Sequence, residues 1–245
     1  MKDTAIIGSS FACGGYTSGS SCIWTRNAPS DPPTKDYISL SERLGAPLSD
    51  FVRPYQAGGD KVSIVGAVHG GSGIIRDNDL KKTDGLVTAE KGLVLTVIAA
   101  DCVPIYLLDE RAGVIGLLHC GWRSAAESLI SNGISSMRAL GASPSYIHAV
   151  IGPHICSECY EVGEEVYQKY SDVFTEAELS QFFSVRSGRL HLQLSAAIRT
   201  RLMAESVPEG NISEVGECTC HDRSYYSYRR GDRGRQNLAF LMLRR

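Results

Sequence analysis

The stretch AADCVPIYLLDERAGVIGLLHCGWRS, residues 99–124, decides the fold. Val103 to Leu108 and Val114 to Leu118 are continuous apolar runs, and Asp109 to Gly113 between them is turn chemistry. Short apolar runs bounded by turn residues read as strands, and the tight turn makes the pair a hairpin. With the loop taken as Glu110 to Gly113, Asp109 pairs with Val114 and Pro104 lies opposite His119. Cys102 is two residues further along and so on the same face as His119. A loop one residue shorter puts them on opposite faces. The diagonal separation is roughly 7 Å between Cβ atoms, close enough for both side chains to reach one point.

Outward from the hairpin, Leu93 to Ala99 is another apolar run. Arg123 to Leu140 has helical spacing, with Ala126, Leu129, Ile130, Ile134, Met137 and Leu140 on one stripe and Gly141 as a stop. Ile147 to Ile151 reads as a short strand, and Glu161 to Tyr170 and Leu190 to Ala204 as helices. Upstream, Lys61 to Val68 has the β-branched content of a strand, Gly70 to Asp84 reads as a loop, and Ser39 to Pro47 as a short helix. The first 35 residues, rich in Gly, Ser and Pro, read as a loose segment with a strand at Ala5 to Ile7. Strands and helices alternate without βαβ regularity, so residues 1–245 are expected to form one mixed α/β domain.

Composition narrows the function. Lys+Arg 25 against Asp+Glu 27 leaves a net charge of −2, no electrostatic footprint for nucleic acid or an acidic membrane. The most apolar stretch, Gly92 to Leu108, is broken by Asp101 and too short to span a bilayer. The first residues lack a secretory apolar core, which points to the cytoplasm and to eight cysteines kept as thiols or metal ligands.

Several groups of residues can carry chemistry. Cys102 and His119 suit a shared zinc ion, which takes a thiolate at about 2.3 Å and an imidazole at about 2.0–2.1 Å. They also suit a Cys–His nucleophile pair. On spacing alone the plainer reading is a buried Cys and a capping His. Arg123, at the start of a helix in HCGWR, suits a phosphate or carboxylate. Its plainer reading is a first-turn salt bridge. Cys156-x-x-Cys159 and Cys218-x-Cys220-His221 have plausible metal spacings but match no strict ribbon or finger template, so scattered buried thiols are the plainer reading. Gly70-Gly71-Ser72-Gly73 lacks the Lys-Ser/Thr ending of a phosphate loop. Arg229, Arg230, Arg233 and Arg235 lie among Tyr225, Tyr226 and Tyr228, either a solvated turn or an anion- and ring-binding wall.

Residues 99–124, with TDGLVT (83–88), IGPHICSECYEVGEEV (151–166) and YYSYRRGDRGRQ (225–236), come in an order and spacing that resembles the laccase-domain, or multicopper polyphenol oxidase, family. The resemblance runs from about Gln56 to the C-terminus. Its members are described as purine nucleoside phosphorylases, with adenosine deamination as a further activity, and some bacterial ones are named for editing peptidoglycan precursors. The resemblance implies an α-β-β-α layered fold and a zinc ion held by His, Cys and His. It implies nucleoside and phosphate as small-molecule partners, with adenosine, inosine, guanosine or methylthioadenosine as substrate. Carried over, Cys102 and His119 match two zinc ligands.

The third ligand departs from the pattern. The family's Gln-x-His-Gly is Gln56-Ala57-Gly58-Gly59 here, so Gly58 stands where the His belongs. His69, eleven residues on, is the expected replacement, with His154 as a second stand-in. The family's early Thr-Arg-x-Gly-Gly and Asn-Arg pairs are also absent, with Ala12-Cys13-Gly14-Gly15 and Asp36-Tyr37 near those places. Within the implied phosphorolysis, Arg123, Arg229 and Arg230 are expected to bind phosphate or substrate. Asp101 is expected to be an acid or an orienting group beside the metal. A multicopper cluster needs many imidazoles, and six His with no His-x-His pair do not supply it, so zinc is expected over copper. The alternatives are a divergent member that binds ligand without turnover, and a metal-free Cys–His hydrolase.

Overall fold

In the computed structural model, residues 3–23 and 35–245 are described. The part of the loose N-terminal segment at 24–34 lies outside them. The N-terminal half holds β1 (Asp3–Gly8), β2 (Ala12–Ile23), α1 (Lys35–Leu44), β3 (Phe51–Val52), β4 (Val62–Ile64), β5 (Gly85–Thr88), β6 (Val94–Ala99), β7 (Val103–Asp109) and β8 (Val114–Cys120). The rest holds α2 (Trp122–Ala126), α3 (Leu129–Ala139), β9 (His148–Ile151), α4 (Glu164–Ser171) and α5 (Glu176–Phe182). It ends with β10 (Phe183–Arg186), β11 (Arg189–Leu192), α6 (Leu194–Ala204), β12 (Ile212–Glu214) and β13 (Arg235–Leu243). One sheet has the order β1-β2-β13-β6-β3 and the other β12-β9-β7-β8-β5-β4, while β10 and β11 form a separate hairpin.

Every strand buried on both faces splits its residues by parity between two layers. On β13, Leu238, Phe240 and Met242 face α1, while Ala239, Leu241 and Leu243 face the second sheet. On β7, Val103, Ile105 and Leu107 face α2 to α6, while Tyr106 and Leu108 face the first sheet. The result is helix, sheet, sheet, helix, which is why these runs are apolar at every position. The expected single mixed α/β domain with α-β-β-α layers is the observed fold. Among the described residues no helix is long and apolar enough to cross a membrane.

The hairpin register is the one read from the turn: Asp109 pairs with Val114 and Pro104 with His119. Other elements differ. The Arg123 to Leu140 helix is two helices, because Glu127 turns extended. Its carboxylate pairs with Lys169 at 2.7 Å and its carbonyl accepts from Arg201 at 2.6 Å. The helix expected from Leu190 starts at Leu194, after β11, and that expected from Glu161 starts at Glu164, after Gly163. The Lys61 to Val68 strand ends at Ile64 and gives way to a 3-10 turn at Ala67–His69. β2 was hidden by its glycines, which close packing requires. A Cβ on Gly14 or Gly15 would sit 2.9 Å from Leu241 or Phe240 of β13.

Leu118 shows how tightly the layers fit. It is fully buried, and a Cβ on Gly133 of α3 would lie 2.9 Å from it. Leu118→Ala is expected to lower the unfolding free energy by about 2–5 kcal/mol, read as a drop in the urea midpoint at unchanged slope.

Candidate active site

β6 ends in the first sheet at Ala99 and β7 begins in the second at Val103, so the chain crosses between layers in three residues. The crossing forces Asp101 to φ 84°, a left-handed conformation that disfavours a side chain. It leaves Cys102 at the end of the inter-sheet layer. His119 shares the parity of Ile115 and Leu117, which face that layer, so its ring points to the same place.

Asp84 fixes the imidazole. β5 pairs with β8 so that Gly85 faces Leu118, which puts Asp84 beside His119. The His119 amide donates to the Asp84 carbonyl at 2.7 Å, and Nδ1 lies 2.9 Å from Asp84 Oδ1. With Nδ1 committed to a carboxylate, Nε2 is the nitrogen turned toward Cys102, the carboxylate–histidine arrangement found behind metal-bound imidazoles. Asp84 is fully buried and also accepts from the amides of Ala57, Gly58 and Gly59 at 3.0, 2.9 and 3.0 Å. Burial opposes its charge, but His119 and the amides outweigh it and hold the carboxyl below its usual range. Burial likewise opposes a charged His119, but its neighbour Cys102 and the bond to Asp84 prevail and raise the imidazole to about 10, so a metal binding at Nε2 displaces a proton.

The 56–59 turn completes one wall. The Gln56 side chain extends β6 like a strand residue, accepting from Ile98 N–H at 2.9 Å and donating to Ile98 O at 2.8 Å. Gly58 has φ 70°, and no atom lies within 4 Å of where its Cβ would be. Gly121 allows the sulfur in: a Cβ there would be 3.2 Å from Cys102 Sγ.

These groups open into a cavity of about 790 Å³, large enough for a nucleoside. Cys102, His119 and Gly58 line it together with the aromatic rings of Trp122, Tyr160 and Tyr228. Arg123, Arg229 and Arg235 bring positive charge. Arg123 stacks 4.1 Å over the Trp122 ring, and Arg229 is braced by Glu161 O at 2.7 Å.

The structure brings Asp101, Cys102, His119, Arg123 and Arg229 to one cavity and places Arg230, His69 and His154 outside its lining. Arg230 does not line the cavity. Its guanidinium turns into its own loop, donating to the carbonyls of Thr219 and Cys220 at 2.9 Å and to Tyr225 O and Asp232. His69 sits in the 3-10 turn, where Nδ1 accepts from Gly66 N–H at 3.1 Å, and it does not reach the cavity. His154 is buried, with Nδ1 bonded to Gly152 O at 2.8 Å and Nε2 3.7 Å from Glu214. Asp101 borders the cavity, but both oxygens are taken, by Thr219 at 2.7 Å, Ser227 at 3.0 Å and the Arg229 amide at 2.7 Å. The last two contacts tie it to the loop that carries Arg229. Tyr225 is a core residue, packed at 5.5 Å against Tyr16. Asp84, Gln56 and Tyr160 were not singled out by sequence; the Asp of TDGLVT was the available signal for the first.

A cavity lined by Cys102 and His119, with arginines and aromatic rings around it, has the size and lining of a small-molecule site. The sequence pattern of the family described as Multi-copper polyphenol oxidoreductase laccase matches residues 34–244, and the chain belongs to that family. The chain is 37% identical over 206 residues to the purine nucleoside phosphorylase of Deinococcus radiodurans, covering 83% of this chain and 75% of that one. It is 34% identical over 195 residues to adenosine deaminase RL5 from an unknown prokaryotic organism, covering 79% and 74%. Among solved structures it is similar to the hypothetical protein YfiH of Bacillus licheniformis, with a TM-score of 0.84 at 29% identity over 95% of this chain and 93% of that one.

Proposed function

We propose that this chain is a purine nucleoside phosphorylase-type enzyme whose catalytic zinc is held by Cys102 and His119. The observation that carries the reading is the Asp84–His119–Cys102 line at a nucleoside-sized cavity. The donor set offers two of the three protein ligands that catalytic zinc sites hold: one thiol and one imidazole with its far nitrogen already bonded to a carboxylate, with open cavity beyond. A thiolate and imidazole pair favours zinc over a copper cluster, since among the described residues His119 is the one His lining the cavity. When bound, the ion supplies a Lewis-acidic charge facing the substrate.

The protein's own groups do the rest. In phosphorolysis a phosphate oxygen bonds to the anomeric carbon as its bond to the purine nitrogen breaks. Arg123 and Arg229 offer fixed donors to the phosphate. The rings of Trp122, Tyr160 and Tyr228 offer faces for the purine. Asp101 holds the Arg229 loop in place through Ser227 and the Arg229 amide.

Zinc-loaded protein given inosine or adenosine is expected to release purine base only when phosphate is present. Ammonia release from adenosine without phosphate would support the deaminase reading that the RL5 relative suggests. No release of either kind at saturating zinc would overturn the enzyme in favour of a ligand-binding member. Arg123→Gln is expected to raise the phosphate KM by about 10-fold or more, the loss of roughly 1.5–3 kcal/mol from a charged hydrogen bond. An unchanged phosphate KM would remove Arg123 from the phosphate site.

A further inference from the structure

We infer that Cys156, Cys159, Cys218 and His221 form a second metal site, a closed tetrahedral zinc centre distinct from the Cys102–His119 pair. The three sulfurs and one imidazole nitrogen all lie within 4.8 Å of one another. Tetrahedral zinc with zinc–sulfur distances of about 2.3 Å sets its ligand atoms about 3.8 Å apart, so a small contraction closes the site. Cys156 Sγ is already 3.7 Å from His221 Nδ1. All three cysteines are free thiols. The thiols are half-buried and His221 is exposed, which leaves a path for the ion. The Cys156 amide donates to Cys218 Sγ at 3.3 Å, the kind of N–H···S bond that surrounds metal-bound thiolates.

Sequence spacing could not decide this, because the two halves belong to segments more than fifty residues apart. Cys156 and Cys159 follow β9 and precede Tyr160; Cys218 and His221 follow β12 and precede Arg229. His154 and Cys218 form a parallel bridge that aligns the two segments. Two neighbouring arginines tie both segments to the loop that carries the Arg229 wall. Arg229 donates to Cys159 O at 3.4 Å and to Glu161 O, while Arg230 donates to Thr219 O and Cys220 O. Four protein ligands leave no open position, so the ion is structural. It staples the two segments that carry the Tyr160 and Arg229 walls. The three thiols give up their protons to solvent as it binds.

The test uses the full chain as Cys102→Ala, so that the first site is disabled, with Zn2+ or Co2+ alone as probe. About one zinc per chain is expected to remain after dialysis. Cobalt is expected to show thiolate-to-metal charge transfer with intense tetrahedral bands. Zinc is expected to protect Cys156, Cys159 and Cys218 from alkylation, mapped by mass spectrometry. Chelation is expected to lower the Tm of this variant. His221→Ala replaces an exposed ligand and should fold; it is expected to weaken cobalt binding about tenfold or more and to change the band pattern. No zinc retained, no thiolate band, or equal alkylation with and without zinc would each overturn the site. None of these readouts depends on nucleoside turnover.

Discussion

Asp84→Asn is expected to weaken zinc binding at the Cys102–His119 pair by about 10- to 100-fold. The variant keeps the volume but removes the charge that orients His119. An amide has one acceptor oxygen in place of two, while Asp84 serves three backbone amides and an imidazole. One side of the Asn therefore presents a donor to a donor. Asp84→Ala goes further, removing the buried carboxylate that three amides of the half-exposed 57–59 turn share. A fully enclosed orphaned donor costs roughly 1–3 kcal/mol; with water able to reach part of this turn, the variant is expected to lose about 2–4 kcal/mol of stability in all. Zinc titration of the Asn variant and denaturant unfolding of the Ala variant separate the two roles. Wild-type zinc affinity in Asp84→Asn would mean that His119 is not a ligand.

Gly58→His is expected to strengthen zinc binding at the same pair by about tenfold or more, which is about 1.4 kcal/mol or more. The position lines the cavity with Cys102 and His119, and a side chain there meets open space. A third ligand brings the set to the number that catalytic zinc sites hold. The backbone opposes the change: at φ 70° a side chain costs roughly 1–2 kcal/mol, although His is among the residues that tolerate this conformation. The metal-free variant should therefore melt below the wild type and gain more from zinc. A variant that melts lower and binds zinc no better would show that a ring at 58 does not reach the ion.

The hairpin was legible because its register follows from a countable turn and a strict two-residue period, and with it came the proximity of Cys102 and His119. Asp84 was harder to see. Its place beside His119 depends on β5 pairing with β8, a contact between segments some thirty residues apart that no local pattern announces. Arg229 and Arg230 are neighbours of identical chemistry, and the turn alone decides which faces the cavity. The Gly-rich β2 read as a loop because its small residues answer to bulky partners on β13, at the far end of the chain. His69 looked available by distance in sequence, but the 3-10 turn folds its ring onto Gly66. Local patterning carried the layers and the pair; long-range pairing carried the residues that orient them.

The most direct test of the metal centre is an anomalous difference map at the zinc edge from crystals equilibrated with Zn2+. A peak is predicted between Cys102 Sγ and His119 Nε2, with the Asp84 carboxylate against Nδ1. No peak there, with Cys102 left as a free thiol in the same crystals, would contradict the account.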